Sequence, residues 1–356
     1  MRTSVRWWMA MVVVLTTATG LTATMTAARL SIGQPPRAEQ EFPAKTGLPG
    51  VQRPVEALAP TEEFAVEGQP DWMAVTPDGV WVTSSSANQV VRLNSRTNTV
   101  DRVVTVAKPC SGLATGFGGL WIPSCGEHKL VEVNEDTGAA WREVAVGPAD
   151  SEGGVTTGAG SVWMVSAAEQ DAAGSAVSGQ TRPTAPVVLN RIDPLKGVVV
   201  ARIALPEGSY NPLFAAGMVW VTSNRGNVLV RVDPKTNQVV GTTPTGKMPR
   251  FLTYGARSVW TLNQGDGTVT RVDARTGKAL ATIEAGIPGQ GGEITFGAGS
   301  VWATVFGYPI TRINAKTNRV TEQWTGAGGD SIRVAHGSVW LTYQMEAKVA
   351  RIPVPE

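Results

Sequence analysis

The chain has 356 residues, enough for one large domain, with a formal net charge of +2 and only 17% charged residues. So slight a charge gives no long-range pull toward nucleic acid. Gly 40 and Pro 23 point to many turns between short strands, and no stretch beyond residue 28 approaches membrane length.

Residues 1–28 begin with Arg2 and Arg6 and continue as an uncharged run from Trp7 to Ala28. A basic start before an apolar run is an export signal pattern, and Thr26-Ala27-Ala28 offers a small-residue cleavage site. Residues 7–28 are also long enough to stay as a single membrane tether. Either way the rest of the chain is expected outside the cytoplasm: periplasmic, secreted, or anchored on the outer side. Residues 29–60 carry Pro35-Pro36, Pro43, Pro49-Gly50 and Pro54 without lasting periodicity, and read as a linker or loosely held arm.

From residue 61 the chain repeats itself. GARSVWTLNQGDGTVTRVDARTGKALATI, from Gly255 to Ile283, recurs in outline at Gly217 and again at Gly299. Its landmark is a tryptophan at 81, 121, 163, 220, 260, 302 and 340, spaced 40, 42, 57, 40, 42 and 38 residues apart. A period near 40 with several short strands per unit, and no long 3.6-residue periodicity, is propeller spacing. The expected fold is all-β: a seven-bladed β-propeller of four-stranded antiparallel blades over residues 61–356. The tryptophans are expected to pack between blades. Glycine marks the turn between first and second strands (Gly79, Gly119, Gly160, Gly217, Gly255, Gly299, Gly337). Asn or Asp marks the turn between third and fourth (Asn94, Asn134, Asp193, Asp233, Asp273, Asn314). Those side chains are expected to cap backbone rather than act as catalytic carboxylates.

The last unit begins at Gly329 and ends at Pro353 with only three strands, whereas TEEFAVEG at 61–68 reads as an outer strand with no blade of its own. Phe64-Ala65-Val66 is therefore expected to complete the final blade and close the ring. The long third unit holds the insert AAEQDAAGSAVSGQTRPTAP, residues 167–186, between its second and third strands. A lid, a partner contact and a neutral insertion all remain open for it.

The chain's two cysteines, Cys110 and Cys125, lie on loops of the same blade and the same face, called here the upper face. In an exported chain that arrangement predicts a disulfide. The two histidines separate: His128 belongs to the upper face and His336 to the opposite, lower face, so a shared metal is not expected. The upper mouth of the channel gathers the polar residues. Loops leading into the innermost strands offer Asp71, Glu152, Tyr210, Asn211, Arg250, Glu293, Asp330 and Arg333. Loops between second and third strands offer Asn224, Arg225, Asn263, Gln264, Asp266, Tyr308, Tyr343 and Gln344. Polar groups converging on such a mouth are a usual binding location, and carboxylates beside arginines suit an anionic or sugar-like ligand. The alternative is that they hydrate the channel and satisfy loop backbone. No Ser/His/Asp order, phosphate-binding glycine loop, EF-hand or nucleotide fingerprint is present.

The phrase VRVDPKTNQVV at Val230–Val240 resembles the bacterial YVTN-type propeller repeat, and PCSGLATGFGGLWIPSCG and GSVWMV resemble propellers of the streptogramin B lyase family. The resemblance covers residues 61–356 and implies the seven-bladed fold. It also implies an elimination that opens a cyclic depsipeptide, with a metal ion, a histidine and a glutamate near the upper mouth. Glu293 matches the glutamate, with Asp71 or Asp330 helping to hold magnesium or calcium. The accompanying histidine is absent from GGEITFG. A lactonase-type hydrolase would instead need a calcium site, for which Asp71, Glu152, Glu293 and Asp330 are the candidates. The expectation is accordingly an exported, non-catalytic, monomeric propeller. It would bind a small molecule or an exported protein, without a required cofactor and without nucleic acid. The metal-dependent lyase or lactonase, with Glu293 catalytic, is the alternative.

Overall fold

In the computed structural model the described residues are 42–168 and 186–355; residues 1–41, including the expected signal segment, lie outside them. Seven sheets, antiparallel apart from one added edge strand, form the blades of a closed propeller. In blade 5 the strands are Pro249–Gly255, Ser258–Asn263, Thr268–Asp273 and Ala279–Glu284, within a residue or two of the sequence pattern. Six blades have four strands, and blade 6 has a fifth. The base of the blade 3 insert is closed by Ala168 N–H donating to Pro186 O at 2.9 Å. Residues 169–185 lie outside the described residues.

The ring closes as the incomplete last unit requires. Strand Glu62–Ala65 pairs antiparallel with Lys348–Pro353, placing Phe64 opposite Val349. Residues 42–60 differ from the expected loose arm. Gln52–Pro54 adds a parallel strand to the outer edge of blade 6, against Arg319–Gly326. Leu48 N–H donates to Gln323 Oε1 at 2.6 Å, and Val55 is buried beside Trp324. The proline-rich composition hid this because a short edge strand tolerates a missing N–H.

All seven landmark tryptophans are 0% exposed. Six donate the indole N–H to the carbonyl five residues earlier, from Trp121 to Gly116 through to Trp340 to Ala335, at 2.9–3.1 Å. Opposite the tryptophan on the third strand sits an arginine in every blade but one. Its guanidinium lies 4.7–5.9 Å from the ring centroid, within cation–π range. Several of these arginines also reach the next blade. Arg191 donates to Pro234 O and Asn237 Oδ1, Arg271 to Ala315 O and Asn318 Oδ1, and Arg351 across the seam to Ser95 O and Asn98 Oδ1. Blade 2 is the exception. There Glu132 faces Trp121, and Arg142 from the outer strand pairs with Glu132 at 2.5 Å and takes over the reach to Pro194 O and Leu195 O.

The turn residues serve backbone: Asp193 Oδ1 accepts from the N–H groups of Leu195 and Lys196, and Asn94 Oδ1 from that of Arg96. Cys110 and Cys125 form a disulfide with Cα atoms 5.1 Å apart.

Candidate functional site

Every innermost strand starts at the upper face, so the first residues of seven strands share one mouth. Asp71 is the second residue of Pro70–Thr76, and Asp330 stands two residues before Ile332–Ala335. Their carboxyls hydrogen-bond across the seam between blades 1 and 7, and Ser111 of blade 2 hydrogen-bonds to Asp71. Gly292 N–H donates to Asp330 Oδ1 at 3.3 Å, and the Gln344 amide donates to Oδ2. Burial, then the Asp330 charge, raises the Asp71 pKa well above the carboxylate range; burial pushes Asp330 up to about 6. Two carboxyls that share a hydrogen bond keep a proton between them because both cannot ionise cheaply.

Glu152, in the loop before Val155–Gly158, is pushed up to about 8 by burial, with Asp71, Asp150 and Glu293 adding to the shift and Arg250 opposing it. Arg250 NH2 reaches Asp150 Oδ2 at 3.0 Å and Glu152 Oε1 at 3.5 Å, and its guanidinium lies 3.6 Å from the Tyr210 ring centroid. Glu293, the first residue of Glu293–Gly297, is 4% exposed. It accepts from the Ser331 hydroxyl and pairs with Arg333 at 2.5 Å. The Arg333 guanidinium in turn lies 5.9 Å from the Trp72 ring centroid. Within the ring of innermost strands lies an open cavity of about 230 Å³, lined among others by Trp72, Leu113, Asn211, Phe251, Glu293 and Arg333.

The mouth thus brings together Asp71, Tyr210, Asn211, Arg250, Glu293, Asp330 and Arg333. The remaining expected ligand residues stand elsewhere. Arg225 is exposed and pairs with Glu207. Asn263 is buried within blade 5, where its Nδ2 donates to Thr268 and Thr270 and its Oδ1 accepts from Thr261, so its amide serves the blade. Tyr308 is 9% exposed and packs beside Gly47, where a Cβ would lie 2.6 Å from its Cε1. Tyr343 lies against Lys348, with burial pushing its phenol up to about 12. Three contributors escaped the pattern: Ser111, Trp72 and Asp150. Asp150 sits two residues before Glu152 in PADSEGG, and that spacing is the signal that marks it.

The metal implied by the family resemblance does not suit these residues. Among the described residues no three His, Cys, Asp or Glu side chains are grouped to hold an ion. Glu293 is already committed to Ser331 and to a guanidinium. His336 sits in the lower-face turn with Nε2 3.3 Å from Gly79 O, and His128 lies in the loop between blade 2's second and third strands.

The fold is similar to a structure described as streptogramin B lyase, with a TM-score of 0.63 and 20% identity over 82% of this chain and 96% of that one. It is also similar to BamB from Moraxella catarrhalis, with a TM-score of 0.56 and 14% identity over 83% of this chain and 99% of that one. No protein-family model and no curated protein matches the sequence. At these identities the likeness is one of fold.

Proposed function

We propose that the protein is an exported propeller that holds a small molecule at the upper mouth of its channel, with carboxyls able to exchange protons with that ligand. The observation that supports this most is that Asp71, Glu152 and Asp330, all with raised pKa, act on one another and are each influenced by Glu293, which lines the channel cavity. Strongly perturbed carboxyls in a cleft are expected of a binding or acid–base site and are costly to keep otherwise. Export follows from the signal pattern of residues 1–28 and agrees with the Cys110–Cys125 bridge.

Lyase-like chemistry on a cyclic depsipeptide is the second reading. The fold likeness to streptogramin B lyase favours it. On this chain the proton would be held by the Asp71–Asp330 pair, beside the fixed carboxylate of Glu293. The full chain should be incubated with cyclic depsipeptides and simple lactones, with and without magnesium or calcium, and the masses of substrate and any retained molecule followed. Ring opening without mass change marks elimination, and gain of one water marks hydrolysis. Retention at the mouth without turnover supports the binding reading. Turnover lost in Glu293→Gln moves the assignment to the enzyme, and neither retention nor turnover contradicts both.

A further inference from the structure

Resting on the small-molecule reading above, we infer that the Cys110–Cys125 disulfide positions the mouth, and that the mouth is assembled only while this bond is closed. The sheet shows why blade 2 needs it. Two residues past the landmark tryptophan, the second strand donates an N–H to the innermost strand: Val165 to Gly154 O at 3.2 Å in blade 3, and Thr342 to Ser331 O at 3.1 Å in blade 7. The residue at that place in blade 2 is Pro123, which has no N–H to give. The innermost strand of blade 2 is accordingly only Ala114–Gly116. The disulfide joins the two strands above this gap, beside the Cys110 N–H that donates to Pro123 O at 2.8 Å.

The stretch from Cys110 to Gly112 serves the mouth on both sides. The Ser111 side chain hydrogen-bonds to Asp71. Toward blade 3, Ser111 N–H donates to Ser151 O at 3.0 Å and Gly112 N–H to Glu152 O at 2.5 Å. The bridge itself packs on the same acidic loop. Cys125 Sγ lies 2.8 Å from Asp150 O, and a Cβ on Gly153 would lie 2.6 Å from Cys110 Sγ. That loop carries Asp150 and Glu152 to Arg250. One covalent bond thus supports Asp71 on one flank and Glu152 on the other.

Cys110 is 2% exposed and Cys125 is half-buried, so a dithiol reaches Cys125 first. Its thiolate attacks Cys125 Sγ, the S–S bond breaks, and Cys110 leaves as a thiolate that takes up a proton. The second thiolate of the reductant then displaces Cys125, which is protonated in turn. The protein gains two electrons and two protons, and the dithiol ends as a cyclic disulfide. With the bond open the gap at Pro123 is unbridged, and water reaches the loop that bears Glu152.

The test compares the full chain, oxidised and after dithiothreitol, by amide hydrogen exchange and by carbon-13 titration of Glu152. Reduction is expected to speed exchange about tenfold at residues 110–112 and 150–153, with strand Thr268–Asp273 of blade 5 unchanged. Glu152, faced by Arg250, Asp71, Asp150 and Glu293, should fall from about 8 toward 4.5. Pro123→Ala restores the N–H, and in the reduced chain it should bring both readings back toward those of the oxidised parent. Unchanged exchange at the two loops of the reduced chain overturns the inference. So does faster exchange throughout blade 5, which would make the bond a staple of the whole fold, and so does a Pro123→Ala chain no better than the reduced parent. An ordinary Glu152 value already in the oxidised chain contradicts the proton-holding mouth instead, and the exchange rates then decide on the disulfide alone.

Discussion

Phe64 stacks on Trp340 with ring centroids 5.6 Å apart and planes 27° from parallel. One ring comes from the strand at residue 62 and the other from the last blade, so the two ends of the propeller share one aromatic contact. Phe64 is 4% exposed, and Phe64→Ala is expected to cost about 3 kcal/mol in urea unfolding. A chain beginning at residue 70 should unfold at clearly lower urea than one beginning at residue 60. Equal midpoints for those two chains would contradict closure by this strand.

The Cys110–Cys125 bridge closes a loop with a sequence separation of 15. Its removal by Cys110→Ser with Cys125→Ser is expected to lower stability by about 2–4 kcal/mol. Alkylation under denaturing conditions without reduction should add no mass to the exported protein. Two alkylated thiols would rule the bond out.

Glu132 is 2% exposed and depends on Arg142 for its counter-charge. Arg142→Ala should therefore cost about 3 kcal/mol by stranding a buried carboxylate and freeing the turn at Pro194–Leu195. Adding Glu132→Gln to that variant should recover part of the loss. Additive costs in the double-mutant cycle would show that the two side chains act independently.

The mouth makes stability fall as pH rises. Glu152 holds its proton up to about 8 in the folded protein and releases it near 4.5 when unfolded. The folded state thus binds more protons through that window, and stability present below about 4.5 is lost as pH rises toward 8. Melting temperature should drop by roughly 2–6 °C from pH 5 to pH 8, and Glu152→Gln should flatten the profile. A parent chain that gains stability over this range would contradict the assignment.

The tryptophan spacing made the blade count legible because each indole fills one position of a repeating core. Phe64-Ala65-Val66 was legible as the closing strand because the last unit lacked a partner for Lys348–Pro353. The strand at Gln52–Pro54 was not, since three residues on an edge carry no alternation to read. At the mouth, strand starts located Asp71, Glu293, Asp330 and Arg333. Which groups meet there depends on the ring's curvature: Asp71 touches Asp330 although 259 residues separate them. The same limit misplaced Asn263, whose loop position looks equivalent but whose side chain turns back into its own blade.

The most direct test is a carbon-13 NMR titration of the side-chain carboxyls, assigned through Glu152→Gln, Asp71→Asn and Asp330→Asn. Glu152 is expected to titrate at about 8 and Asp330 at about 6, with Asp71 above the ordinary carboxylate range and changing when Asp330 is replaced. Ordinary carboxylate values for all three, independent of one another, would contradict a proton-holding mouth and with it the proposed function.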